Sequence, residues 1–269
     1  MTATVTKTAT SPSDNPRGEA AGLRWLAAAQ PAGGARVAAV VTVDAHHLEI
    51  ERIDEGPFPV AAARAFGAAL AHTHAAGAPW WGSPPEGWSG PAWVGRSRTP
   101  LVTDRATAAA DWGTFYANER ILAFSRRLVD DAVIDTADAQ LYERLAARLE
   151  RGELDAPQPR LVADARHAVA RCHGDLWTGN VLADGGPTGA ALIDPMAHGG
   201  HAETDLGTLS VFGYPHLDDI YAAYDEASPF ADGWRERVAL HELGIVIMHV
   251  HLFRGGYVDA ARRLAEQYA

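Results

Sequence analysis

Cysteine is almost absent from this chain: Cys172 stands alone. No disulfide can close within it, and a reducing cytoplasm is its natural home. A lone thiol of this kind reads as a small buried apolar residue. Long apolar runs are missing too. None approaches the roughly 18–20 residues that a membrane span requires. Met1–Asn15 is rich in Thr, Ser and Ala, with Lys7 its only base, and lacks the apolar stretch of a signal peptide. Basic residues are scarce, 23 Lys and Arg against 34 Asp and Glu, for a formal net charge of −11. That balance excludes a broad basic face for nucleic acid or an anionic membrane. It leaves room for a nucleotide, whose phosphates a divalent cation and a few local donors can carry. No feature of the sequence sets an oligomeric state.

The 269 residues, 47% apolar and 21% charged, suffice for one large domain or two small lobes. Glu19–Ala29 spaces Ala20, Leu23, Leu26 and Ala27 on one helical face and ends at the Pro31–Gly34 break. Arg36–Val43 and His47–Ile53 read as β-strands joined by a polar turn. Gly56–Pro59 is a linker, which predicts a lobe of residues 1–56 and a second of residues 57–269. Helices are expected over Val60–Ala76, Thr107–Val129, Thr136–Arg151 and Leu161–Arg171, and again from Thr204 onward, including Gly233–Phe253. Between them lie a Pro-, Gly- and Trp-rich structured loop at Pro79–Pro100 and a small hairpin, Val181–Ala183 with Ala190–Ile193. The pattern is α+β and two-lobed.

The strongest chemical signal is His173-Gly174-Asp175-Leu176-Trp177-Thr178-Gly179-Asn180, followed by Ile193-Asp194-Pro195. Phosphoryl transfer from ATP needs one group to orient the attacking hydroxyl and two more to fix Mg²⁺ across the phosphates. A kinase loop supplies an Asp and then an Asn five residues later, with a second Asp beyond a hairpin. Asp175 and Asn180 have that spacing, and Asp194 closes the hairpin that Asn180 opens. Turn residues beside Gly174 and Gly179 are the competing reading.

These runs, CHGDLWTGN and LIDPMAHGGHAETDLGTLSVFG, closely resemble the fructosamine kinase family, within the aminoglycoside and choline kinase-like group of the protein-kinase-like superfamily. The Trp after Gly-Asp-Leu separates that family from most aminoglycoside kinases. Trp88-Ser89-Gly90-Pro91 in the long loop, Trp112…Phe115 with Arg120-Ile121-Leu122, and His249…Leu252-Phe253…Tyr257 extend the likeness. The resemblance implies a two-lobed protein-kinase-like fold and ATP-dependent phosphorylation of a sugar-amine, a fructosamine or ribulosamine, at the 3-hydroxyl. It implies that Asp175 is the catalytic base, that Asn180 and Asp194 bind Mg²⁺, and that His173 and Asp205 support the catalytic loop. Asp205 reads equally as a plain acid at a helix N-terminus. Trp177, His201 and Glu203 are candidates for contacting the sugar, through an apolar ring face and hydroxyl partners. Core packing for Trp177 and solvent exposure for His201 compete with that reading.

In the amino-terminal lobe, Lys7 and Glu19 resemble the strand Lys and helix Glu that hold the α- and β-phosphates. An ordinary charge on a frayed terminus is the bland reading of Lys7. Only six residues precede it, none of them Gly, whereas a glycine-rich hairpin needs about fifteen. The expectation is a small N-lobe lacking that hairpin, with weak ATP binding. Glu51 and Ile53 mark the strand entering the hinge, where backbone groups would read adenine. The paired histidines His72/His74 and His249/His251 sit two apart on helices and make poor zinc clamps. Two other functions compete: an aminoglycoside- or choline-type kinase, and a non-catalytic binding protein of kinase ancestry.

Overall fold

The computed structural model describes residues 3–11 and 14–269; residues 1, 2, 12 and 13 of the expected first lobe lie outside them. The chain starts with strand β1 (Thr4–Thr8) and helix α1 (Pro16–Ala27). Helix α1 begins earlier than periodicity suggests. Asn15 caps it by accepting from Gly18 N at 3.2 Å, and Pro16 fills the first helical position, where a missing N–H costs nothing. The apolar stretch at 36–43 is two strands, β2 (Arg36–Val37) and β3 (Val40–Val43), because each serves a different sheet. Strand β4 (His47–Glu51) lies between β1 and β3, antiparallel to both. In this sheet β1 is an edge, and Val5 is exposed.

Helix α2 (Val60–Ala75) follows, then the hairpin β5 (Ala92–Val94) and β6 (Ser97–Thr99) inside the long loop. The helix expected from Thr107 begins only at α3 (Trp112–Tyr116), where Asp111 accepts from Thr114 N at 2.7 Å. It passes through a π-helical turn at Ala117–Leu122 into α4 (Ala123–Asp130). Helix α5 (Thr136–Glu150) agrees with its spacing. The helix expected over Leu161–Arg171 is cut to α6 (Arg160–Asp164), since Arg166 takes a left-handed φ of 62° that ends the helix. Its remainder becomes β7 (Ala170–Cys172).

The hairpin β8 (Val181–Ala183) and β9 (Ala190–Leu192) forms where its two short apolar runs place it. Strand β10 (His198–Gly200) pairs with β7. Helices α7 (Ala202–Val211), α8 (Leu217–Ala227), α9 (Trp234–Phe253) and α10 (Gly256–Glu266) complete the chain. No helix among the described residues is long and apolar enough to cross a membrane. Two cores hold the fold. One joins α1 and the first sheet to α2, α7 and α8; the other packs α3, α4 and α5 against α9 and α10. The first core runs through the junction at residue 56, and β2 pairs in parallel with β9 across it. Helix α1 sits directly on the turn after β9. A Cβ at Gly22 would come within 3.0 Å of Pro195 and 3.3 Å of Ala197. That close approach keeps the Glu19 helix against Asp194.

Candidate active site

The segment between β7 and β8 is held in shape by groups behind it. Asp205, buried at the start of α7, accepts from His173 N at 2.6 Å and Gly174 N at 2.8 Å. Both readings of Asp205 thus meet in one residue, an acid in the first turn of a helix that also ties down a loop. Burial by itself would push its carboxyl up, but hydrogen bonds and charge from His74, with the loop amides, hold it below the usual carboxylate range. His74 reaches Asp205 at 3.2 Å and Tyr224 at 2.8 Å. Sequence reasoning weighed His74 only as half of a metal pair.

His173 bridges the two halves of the motif. Its Nε2 donates to Ile193 O at 2.8 Å and its Nδ1 accepts from Asp175 N at 3.3 Å, and burial lowers its pKa, so the ring is neutral. Gly174 has φ +82°, and a Cβ there would lie 2.1 Å from Met196 O, so only glycine fits. Asn180 Nδ2 donates to Asp175 O at 2.8 Å and Asp175 Oδ2 at 3.1 Å. Its amide carbonyl is thereby left for another ligand. Burial raises the Asp175 carboxyl to about 7, against a lowering by Asn180.

Asp194 takes a left-handed φ of 51° just after β9. Its carboxylate contacts the Lys7 ammonium, and Lys7 Nζ lies 2.7 Å from Glu19 Oε1. Lys7, Glu19, Asp175, Trp177, Asn180 and Asp194 all line one cleft of about 710 Å³. The long loop forms a wall of it through Trp88 and Pro91, and Asn15 Nδ2 donates to Pro91 O at 2.9 Å. Trp177, His249 and Phe253 add aromatic side chains to the lining of the same cleft. Trp177 is 39% exposed and stands edge-on to Phe212 at 5.8 Å. His249 stacks on Phe253 at 5.4 Å and on Tyr257 at 5.3 Å. The one-turn spacing of His249 and Phe253 on α9 was the signal that could have marked them as cleft residues.

His201 and Glu203 do not reach the cleft, which corrects their reading as sugar contacts. Both are buried at the start of α7, pointing toward α9. Glu203 receives Arg237 Nη2 at 2.7 Å and Arg237 Nε at 2.9 Å, with His241 Nε2 at 3.4 Å. Burial alone would raise Glu203, but these partners outweigh it and hold it down at about 2. His201 is lowered to about 4 by burial. Its Nε2 donates to Ala156 O at 3.2 Å, and its Nδ1 accepts from Glu203 N at 3.2 Å. The atoms of His201, Glu203 and His241 lie close enough to hold a metal. Yet both His201 nitrogens are spent, and Arg237 already neutralises Glu203. The trio is an ion-pair support. Glu51 and Ile53 lie outside the cleft lining as well. Glu51 pairs with Arg36 at 2.6 Å, and Arg36 also contacts Asp184 in the hairpin turn, so Glu51 ties β4 to β8 and β9.

The family model described as Fructosamine kinase matches residues 7–269. The chain is 30% identical over 147 residues to ketosamine-3-kinase of Mus musculus, an alignment covering 55% of this chain and 43% of that protein. A solved structure of a candidate fructosamine-3-kinase from Thermobifida fusca YX-ER1 superposes with a TM-score of 0.82 at 36% identity, over 99% of this chain and 85% of that one. Choline kinase LicA from Streptococcus pneumoniae shares the fold alone, with a TM-score of 0.58 at 12% identity over 99% of this chain and 86% of that one. The matched segments span about half the length of the curated relatives. The chain belongs to the fructosamine kinase family, and its fold is the two-lobed α+β fold of the protein-kinase-like proteins.

Proposed function

We propose that this member of the fructosamine kinase family transfers the γ-phosphoryl group of ATP to a sugar hydroxyl of a ketoamine, a fructosamine or ribulosamine. The observation that carries the reading is the convergence of Lys7, Glu19, Asp175, Asn180 and Asp194 on one cleft, from four separate stretches of chain. The names of its relatives, ketosamine-3-kinase and protein-ribulosamine 3-kinase, support the acceptor class. Residues 1–56 supply the nucleotide side in this reading, and residues 57–269 the catalytic and acceptor side.

Asp175 takes the proton of the attacking hydroxyl as the oxygen–phosphorus bond forms and ADP leaves. A pKa near 7 suits that task, because the group is both substantially ionised and basic at neutral pH. Asn180 keeps Asp175 pointed into the cleft. Lys7, held by Glu19, neutralises phosphate oxygens. Asn180 and Asp194 would hold Mg²⁺. The fit rests on an oxygen-only donor set and on Asp194 already drawing a cation, the Lys7 ammonium. When bound, the ion neutralises charge that builds on the phosphates. Trp177, His249 and Phe253 present ring faces that an acceptor can stack on.

A panel of purified acceptors with Mg·ATP tests the proposal. Phosphorylation of ketoamines, with none of choline or an aminoglycoside, is the expected result. Turnover of an aminoglycoside but of no ketoamine would overturn the acceptor, and no turnover of any hydroxyl compound would overturn the kinase reading.

A further inference from the structure

Arg120 is a buried cation with no carboxylate in ion-pair contact among the described residues; the Glu119 charge acts on it only from a distance. It sits in the π-helical turn between α3 and α4, a feature that often marks a functional position. The residue is 6% exposed, and it forms no ion pair among the described residues. Its Nη1 donates to Pro100 O at 3.1 Å and Glu119 O at 3.0 Å, and its guanidinium lies 4.8 Å over the Phe115 ring. Its Nη2 has no hydrogen-bond partner among the described residues. The Thr99 hydroxyl, in a residue 4% exposed, is likewise buried and unpartnered. Both residues line one small, partly open pocket of about 30 Å³, walled on its apolar side by Val94, Phe124 and Met248.

An uncompensated charge in such surroundings is costly. Burial depresses the guanidinium to about 10, which leaves it charged at neutral pH. Carbonyls and a ring face soften the cost without cancelling the charge. A water molecule could satisfy the two orphan groups, but only an anion also balances the cation. The volume exceeds the roughly 10–15 Å³ that one water requires and is far too small for phosphate or a carboxylic acid with its substituents. We propose that this pocket is a specific site for one small monatomic anion of the chloride class, held by Arg120 Nη2 and the Thr99 hydroxyl. Gly174 and Met196 line the same pocket. They flank Asp175 and the Asp194 turn, so the anion braces both catalytic segments from behind. The proposal stands on Arg120 and Thr99 and does not depend on the kinase reading.

Two measurements on the full chain test it. Crystals grown in sodium bromide should show an anomalous peak between Arg120 and Thr99. Thermal melts in sodium chloride or bromide should exceed those in sodium gluconate at equal ionic strength, since gluconate is too large for the pocket. The expected rise is about 3–6 °C at a tenfold excess of halide over its dissociation constant. Thr99→Val, nearly isosteric, should shrink that halide-specific rise, and Arg120→Met should abolish it. Should Arg120→Met not fold, Thr99→Val and the diffraction carry the test. Absence of the peak overturns the proposal, as do equal melting temperatures in halide and gluconate. A peak without a halide-specific melting shift marks binding at crystal concentration only and overturns it equally.

Discussion

Asn180 holds Asp175 at two points, its side-chain amide donating to the Asp175 carbonyl at 2.8 Å and to the carboxylate at 3.1 Å. The residue that would ligate the metal therefore also orients the base. Asp175→Asn should lower turnover by about 10²–10⁴-fold with folding intact, because a neutral amide cannot accept the hydroxyl proton. Near-normal turnover in that variant would remove Asp175 from the role of base.

The same carboxylate makes a stability statement. Its pKa rises to about 7 in the folded chain from an ordinary 3.8, so between those values the native state holds a proton that the unfolded state releases. Stability contributed by the neutral form is present below pH 4 and is lost as pH climbs to 7. Asp175→Asn should therefore be more stable than the parent at pH 8, on the order of 2 kcal/mol after discounting for partial exposure, and indistinguishable below pH 4. Chemical denaturation at both pH values measures the difference. The acid limb of kcat/KM should likewise rise with pH through about 7 in the parent, where Asp175 ionises.

Asp194→Ala should abolish Mg²⁺-dependent nucleotide binding, and Asn180→Ala should weaken it less, since a neutral amide supplies less charge than a carboxylate. Calorimetric titration of Mg·ATP distinguishes them. A Mg²⁺ response unchanged in Asp194→Ala would end the assignment.

Lys7→Met removes the ammonium that Glu19 and Asp194 share. A charged hydrogen bond to phosphate is worth about 1.5–3 kcal/mol, so kcat/KM for ATP should fall about 10- to 150-fold, with the melting temperature little changed at this half-exposed position. An unaltered KM and kcat for ATP would return Lys7 to an ordinary surface charge.

Glu203→Ala strands Arg237 in a nearly buried position. Destabilisation of about 3–5 kcal/mol is expected, with the acceptor KM of the folded protein unchanged. A raised acceptor KM with normal stability would instead restore Glu203 as a substrate contact.

What the sequence by itself determined is local. The five-residue step from Asp175 to Asn180 and the short hairpin of β8 and β9 bring Asp194 beside Asn180, whose amide lies 3.4 Å from Asp194 O. Turn chemistry and short apolar runs act over a few residues, so spacing alone carries that arrangement. The Lys7–Glu19 pair was legible for the same reason, a strand and a helix joined by a short connection. Tertiary structure decided what lies across the chain. His201 and Glu203 read as polar residues beside the motif, but the direction of α7 turns Glu203 to Arg237 on α9, 34 residues beyond it, and buries His201 against Ala156 and His241. His74 meets Asp205 from 131 residues away, and β2, the first part of what reads as a single strand over Arg36–Val43, pairs instead with β9. Periodicity records which residues are buried, not which partner buries them. A left-handed residue such as Arg166, which breaks a well-patterned helix, leaves no trace in it either.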